Sequence, residues 1–204
     1  MTRWKPDAHG RLMQSAIELF AERGYEATTV AAIAERAGLT RRTFFRYFAD
    51  KREVLFSGAE QLVTVWLAAV ADAPAAAGPL ASVTAGFEPL AELFEERLEL
   101  ARLRAQIIAA NPELRERELV KLQGLASELE RTLLARGVAS NAAILAAQAG
   151  LTVFHVAFGR WVEQEDPAAF RRLLSESLDE LREVTAAAPR SGTQEWAPTR
   201  EGNR

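Results

Sequence analysis

Three arginines, Arg41, Arg42 and Arg46, are interleaved with Thr43, Phe45 and Tyr47. A guanidinium can donate two parallel hydrogen bonds to O6 and N7 of guanine, and a threonine methyl or phenyl ring can meet the methyl of thymine. The cluster therefore carries chemistry for reading base edges in duplex DNA. Thr28, Thr29 and Lys51 stand at the starts of neighbouring segments, where helix N-termini and short polar or cationic side chains hold phosphate oxygens. Catalytic chemistry is sparse by comparison. Cysteine is absent, and the two histidines, His9 and His155, lie in different parts of the chain. No phosphate loop, nucleophile elbow or histidine pair at metal-ligand spacing occurs, so neither an enzyme, a metal site nor a cofactor is expected.

What must position the arginines is a short helix. At ~100° per residue, Phe44 and Phe48 lie one turn apart and define its buried side, with Arg42 and Arg46 nearly opposite. Thr43 and Phe45 flank that outer face, which makes Arg42, Thr43, Phe45 and Arg46 the base-contacting candidates. Arg41 and Tyr47 sit nearer the buried edge and join Thr28, Thr29 and Lys51 as phosphate-contacting candidates. Thr40 caps this helix, and Gly38-Leu39 makes the turn that precedes it. A preceding helix, capped by Thr28, buries Val30, Ile33, Ala34 and Ala37. Before it, a helix opening at Pro6-Asp7 carries Leu12, Ala16, Leu19 and Phe20 and ends at Gly24. Two short helices across a glycine turn form a helix-turn-helix pattern, whose second helix lies in the major groove of DNA.

Asp50, with Glu53 three residues later, resembles a capping box and opens a fourth helix towards Ala71. The run ADAPAAAGP at 71–79 breaks the chain. Apolar-striped helices follow at roughly 80–96, 97–110 and 113–136, with Pro89 kinking or dividing the first. Two long helices close the series at 141–164 and 167–185. No strand alternation or internal repeat appears, so the expected fold is all-α with about nine helices. The expected domains are residues 1–52, a helix-turn-helix DNA-binding unit; 53–185, a ligand-binding and dimerisation unit; and 186–204, a polar tail expected to be disordered.

Charge divides along the same line. Residues 1–52 hold ten Lys/Arg against six Asp/Glu, whereas the remainder holds fifteen against twenty-two. A basic N-terminal part on an acidic body suits a DNA reader that is not a general polyanion binder. The lack of cysteine fits a reducing cytoplasm, and no apolar run reaches the ~18 residues of a membrane span.

The run TTVAAIAERAGLTRRTFFRYFADK (28–51) resembles the N-terminal domain of the TetR family of bacterial transcriptional regulators. Thr29, Ile33, Ala34, Ala37, Gly38, Leu39, Thr40, Thr43, Phe44, Tyr47, Phe48 and Lys51 fill the family's pattern, and Leu19, Phe20, Gly24 and Tyr25 match its first helix and that helix's end. The likeness covers about residues 8–56. Phe45 departs from it, standing where the family usually has a tyrosine whose hydroxyl often reaches a phosphate. Its ring is left to pack against a thymine methyl or a sugar.

The resemblance implies a dimeric regulator of double-stranded operator DNA, most simply a repressor released by a small-molecule effector. The alternatives are an activator or, from another class, a helical interaction scaffold or small-molecule-binding protein without specific DNA binding. A homodimer would pair helices 141–164 and 167–185. Ile144, Leu145, Gln148, Leu151, Thr152, His155, Phe158, Gly159 and Val162 trace one stripe, and Phe170, Leu173, Leu174, Ser177, Leu178 and Leu181 another. Ala143, Ala147, Gly150 and Gly159 would permit close helix approach. Trp66, Phe87, Phe94, Arg104, Phe154, His155 and Phe158 are the ligand-pocket candidates, with Arg102 as a further cation for an anionic ligand. The stretch 102–129 is similar to regulators from high-GC bacteria associated with acyl-CoA-like ligands, so the effector is expected to be apolar or acyl-CoA-like.

Overall fold

A computed structural model describes residues 7–186; the tail expected at 186–204 therefore lies, beyond Ala186, outside the described residues. Ten α-helices, and no strand, occur among them: α1 (Ala8–Arg23), α2 (Val30–Arg36), α3 (Arg41–Tyr47), α4 (Ala59–Asp72), α5 (Pro79–Thr84), α6 (Phe87–Phe94), α7 (Leu98–Ala110), α8 (Pro112–Ala135), α9 (Ser140–Trp161) and α10 (Ala169–Thr185). The all-α class holds, with the expected helix at 80–96 divided in two. The division falls at Ala85-Gly86, and Pro89 sits in the first turn of α6, where its missing N–H has no helical partner to lose.

Two apolar clusters organise the chain. The first joins Leu12, Ala16, Leu19 and Phe20 of α1 to Ile33, Phe44, Phe48 and the run Val54–Phe56. It also takes in Ile107 and Ile108 of α7 and Leu114 of α8, so the helix-turn-helix unit rests on the larger part of the chain. The second cluster is built on α9, which packs against α5, α8 and α10.

The segment after α3 departs from the expected continuous helix. Asp50 does act as a cap, accepting from the backbone N–H of Arg52 at 2.8 Å and of Glu53 at 3.1 Å. Residues 51–58 then run as tight turns, and α4 begins only after Gly58, which adopts φ 93°. The Leu55 carbonyl, which would pair with the Ala59 N–H in an α-helix, instead accepts from Arg104 Nε at 2.7 Å. The Ala59 N–H turns to the Phe56 carbonyl. A regular helix would also spread Val54, Leu55 and Phe56 over about 200° of its circumference, whereas all three are buried here. Side-chain demand from the core outweighs helical regularity at this point.

By length and composition, Glu53–Asp72 and Ser140–Trp161 could each cross a membrane. The break at Gly58 leaves α4 with 14 residues, short of the ~20 that a spanning helix needs. Nine residues of α9 are buried against neighbouring helices, as in the core helix of a bundle.

Candidate nucleic-acid interface and internal cavity

Helix α3 starts at Thr40, whose hydroxyl accepts from the Thr43 N–H at 3.1 Å, and α2 starts at Thr29, which accepts from the Ala32 N–H at 3.2 Å. Each hydroxyl occupies one of the backbone donors that a helix leaves unsatisfied at its start. Phe44 and Phe48 are buried beneath α3, their ring centroids 5.3 Å apart. Outward from this anchor, Arg41, Arg42, Phe45, Arg46 and Tyr47 are exposed, and Thr43 is half-buried with its hydroxyl 3.0 Å from that of Thr40. Phe45 is 51% exposed, an unusual position for a phenyl ring in water. Arg46 lies over the Tyr47 ring, 4.9 Å from its centroid, and donates to the phenol oxygen at 3.1 Å. None of Arg41, Arg42 and Arg46 forms an ion pair among the described residues, whereas nearby Arg36 and Arg52 pair with Glu22 and Asp50.

Two phosphate candidates have other work. Thr28, expected as the cap of α2, is only 2% exposed and lies one residue before the actual cap. Its hydroxyl donates towards the carbonyls of Gly24 at 2.8 Å and Leu19 at 3.2 Å, so it braces the α1–α2 connection and is withdrawn from the phosphate set. Lys51 Nζ donates to the Tyr25 carbonyl at 2.9 Å, and the carbonyls of Glu26 and Thr28 lie at 3.4 Å. The ammonium also sits 4.1 Å from the Tyr25 ring centroid. Its charge thus reinforces the entry to α2 from beneath. Burial, together with a hydrogen bond to Glu113, pushes the Tyr25 phenol well above its ordinary range and keeps it neutral.

Where the two apolar clusters meet there is a cavity of about 560 Å³. Phe94, Arg104, Phe154, His155 and Phe158 line it as expected, with His155 at the exposed rim. Trp66 and Phe87 do not. Trp66 is fully buried, donates to the Val83 carbonyl at 2.8 Å and packs against Phe87 at 5.9 Å, so both rings belong to the solid core. Arg102 is also elsewhere, donating to the carbonyls of Val162 and Gln164 at the end of α9. Sequence reasoning missed Met13, Leu55–Ala59, Gln61, Arg97 and Lys121, which come from α1, the turn before α4, α4 itself, the start of α7 and α8. No periodicity in the sequence marks these residues, because five separate segments bring them together.

Two arginines tie the cavity wall to the helix-turn-helix unit. Arg104 reaches the Leu55 carbonyl and pairs with Glu118 at 3.0 Å. Its burial works against its charge, which Glu118 supports. Arg117 and Lys121 of α8 converge on Glu53 at 2.7 and 2.9 Å. Burial alone would raise the Glu53 carboxyl, but the hydrogen bonds from Lys121 and Arg117 outweigh it and hold the group below its ordinary range.

Much of the stripe expected on α9 faces outward, whereas the small residues expected to admit a partner and the stripe expected on α10 largely do not. On α9, Ile144, Leu145, Gln148, Thr152, His155, Val156 and Gly159 are exposed, while Leu151, Ala143, Ala147 and Gly150 are buried inside the subunit. A Cβ on Gly150 would stand 2.3 Å from Val83 Cγ1, so this glycine permits close approach of α5 and not of a second subunit. On α10, Phe170, Leu173, Leu174 and Ser177 are buried against the subunit's own core. The expected α10 stripe therefore faces inward.

The helix-turn-helix segment, residues 12–57, matches the family described as bacterial regulatory proteins, tetR family. Residues 12–57 are thus similar to the DNA-binding domain of that family. Among curated relatives, the HTH-type transcriptional regulator TcmR of Streptomyces glaucescens is 42% identical over 77 residues, covering 38% of this chain and 34% of that protein. The repressor KstR2 of Mycobacterium tuberculosis is 44% identical over 46 residues, covering 22% of this chain and 23% of its own. The chain thus matches about a third or less of the length of these curated relatives. Likeness of fold alone extends over most of the chain. FadR of Thermus thermophilus, a TetR-family repressor solved with lauroyl-CoA, superposes over 91% of this chain and 100% of its own with a TM-score of 0.55 at 24% identity. SmeT, the repressor of the Stenotrophomonas maltophilia efflux pump SmeDEF, gives 0.57 over 86% of this chain and 89% of its own at 18% identity.

Proposed function

We propose that this chain is a DNA-binding transcriptional regulator acting as a homodimer in the cytoplasm. On this reading it is a repressor that leaves a pseudo-palindromic operator when a small apolar molecule enters the cavity. The observation that carries the proposal is α3. Its Arg41, Arg42 and Arg46 are exposed and without ion-pair partners among the described residues, over an anchor of Phe44 and Phe48. Arg42, Thr43, Phe45 and Arg46 would meet base edges in the major groove, with Arg41, Tyr47 and the α2 start at Thr29 against phosphates. The exposed apolar side chains of α9, Ile144, Leu145 and Val156, support pairing of two subunits. Such pairing would set two copies of α3 about one turn of DNA apart.

Release would work through the segment 55–59, which forms part of the cavity wall and joins α3 to α4. A ligand that binds better to one arrangement of that segment shifts the equilibrium by its differential affinity, typically ~1–3 kcal/mol. FadR and SmeT are described as repressors, and FadR was solved with lauroyl-CoA. The cavity here is of a size for one drug-sized molecule or the acyl end of a larger thioester. Fluorescence anisotropy with labelled DNA from upstream of the chain's own gene tests the proposal. Salt-sensitive binding that exceeds binding to random duplex is expected, and equal affinity for both would overturn it.

A further inference from the structure

Resting on that effector reading, we propose that the cavity takes a planar aromatic anion, its rings against Phe56, Phe94, Phe154 and Phe158 and its acidic group at Arg97. Phe154 and Phe158 lie one turn apart on α9, their rings 6.0 Å between centroids and inclined by only 22°. Phe94 meets them at 6.1 and 5.7 Å and is itself backed by Trp161 and Phe170 at 5.7 and 5.5 Å. The panel is therefore held in place before any ligand arrives. A flat π-system gains offset or edge contacts with such a panel beyond the burial that any apolar chain would gain.

The charge of the lining points to the acidic group. Lys121 pairs with Glu53 and Arg104 with Glu118, while the Asp7 carboxylate accepts from the Gly10 N–H at the start of α1. Arg97 remains. Glu95, Glu96 and Glu99 neighbour it on the outer surface, but Glu95 pairs with Arg171 and Glu99 with Arg102. Among the described residues none of them forms an ion pair with Arg97. Its Nη2 donates only to Gln61 Oε1, at 3.1 Å, which occupies that oxygen and leaves the Gln61 amide nitrogen as a further donor. Arg97 thus offers N–H donors and a guanidinium charge without an ion-pair partner among the described residues. A carboxylate or phenolate complements it, an amine is repelled, and an uncharged hydrocarbon leaves it without a partner.

Equilibrium dialysis of the full chain against anthraquinone-2-carboxylate, its neutral carboxamide and dodecanoate tests the assignment. The acid is expected to bind about tenfold more tightly than the carboxamide, as a charge-assisted bond would give. Arg97→Gln should erase that preference and Arg97→Lys should keep most of it, with unchanged circular dichroism in both. Equal binding of acid and carboxamide, an unchanged preference in Arg97→Gln, or no binding of the acid would overturn the proposal. Tighter binding of dodecanoate would overturn its aromatic half. Anisotropy with upstream DNA separates this from the effector reading. Arg97-dependent binding of the acid without DNA release would keep the ligand class and remove the effector role.

Discussion

Glu53 and Arg117, 64 residues apart in the chain, meet at 2.7 Å, and Lys121 joins the same carboxylate at 2.9 Å. The carboxylate belongs to the turn that follows α3, and both cations belong to α8. This cluster fastens the helix-turn-helix unit to the larger part of the chain by charge, beside the apolar contacts of Ile107, Ile108 and Leu114. Glu53→Gln should lower stability by only about 0.5–1 kcal/mol, because all three groups keep some contact with water. The pH dependence carries a definite sign. The folded carboxyl titrates below its unfolded counterpart, so its contribution is complete above the ordinary glutamate range and disappears as pH falls through the lower, folded value. Urea titrations from pH 7 down to pH 3 should show wild type and Glu53→Gln converging in acid, and a gap that persists there would disprove the linkage.

Lys51 gives a sharper distinction. Its ammonium donates to the Tyr25 carbonyl and lies over the Tyr25 ring, so Lys51→Ala should cost roughly 1 kcal/mol of stability as well as weakening DNA binding. Thermal unfolding decides this. An unchanged Tm with a reduced salt slope would make the residue a phosphate contact alone.

Arg42 is solvent-exposed on the outer face of α3. Arg42→Ala should lower discrimination between the preferred operator and a single-base variant by ~1–3 kcal/mol, with little change in stability. Competition binding with a panel of variant duplexes reads the effect. A uniform loss across the panel would assign Arg42 to phosphates instead.

Gly150 and Val83 touch across α9 and α5, where a new Cβ would come within 2.3 Å of Val83 Cγ1. Gly150→Ala should therefore destabilise by about 1–3 kcal/mol, as overpacking does. In the double variant with Val83→Ala, the Cγ1 is gone and the combined loss should fall short of the sum of the two single losses. Strict additivity in denaturant titrations would contradict the close approach.

Leu145 is 70% exposed on the outer face of α9. Under the dimer proposal, Leu145→Arg should yield a monomer in sedimentation velocity at micromolar concentration and weaken operator binding, while leaving circular dichroism unchanged. A dimer that persists would move the interface away from this face.

The local elements were legible in the sequence because near-neighbour physics determines them. Thr40 caps α3 through a hydroxyl three residues from the N–H it serves, the cap of α2 falls at Thr29, one residue from the expected Thr28, and Phe44 and Phe48 bury one side of α3 by helical period alone. That period also turned Arg42 and Arg46 outward, which made a nucleic-acid reader the natural interpretation before any fold was known. Tertiary contacts decided the rest. Nothing within a few residues of Leu55 tells that Arg104 will take its carbonyl and break the helix expected from Asp50. The burial of Thr28 and the bond from Lys51 to the Tyr25 carbonyl depend on the α1–α2 connection, which their neighbours in sequence do not reveal. Aromatic spacing could not separate Phe154 and Phe158, which border a cavity, from Trp66 and Phe87, which fill a core. Periodicity reports which side of a helix is apolar. Whether that side meets a neighbouring helix, an empty space or another subunit depends on segments far away in the chain, and only their packing decides it.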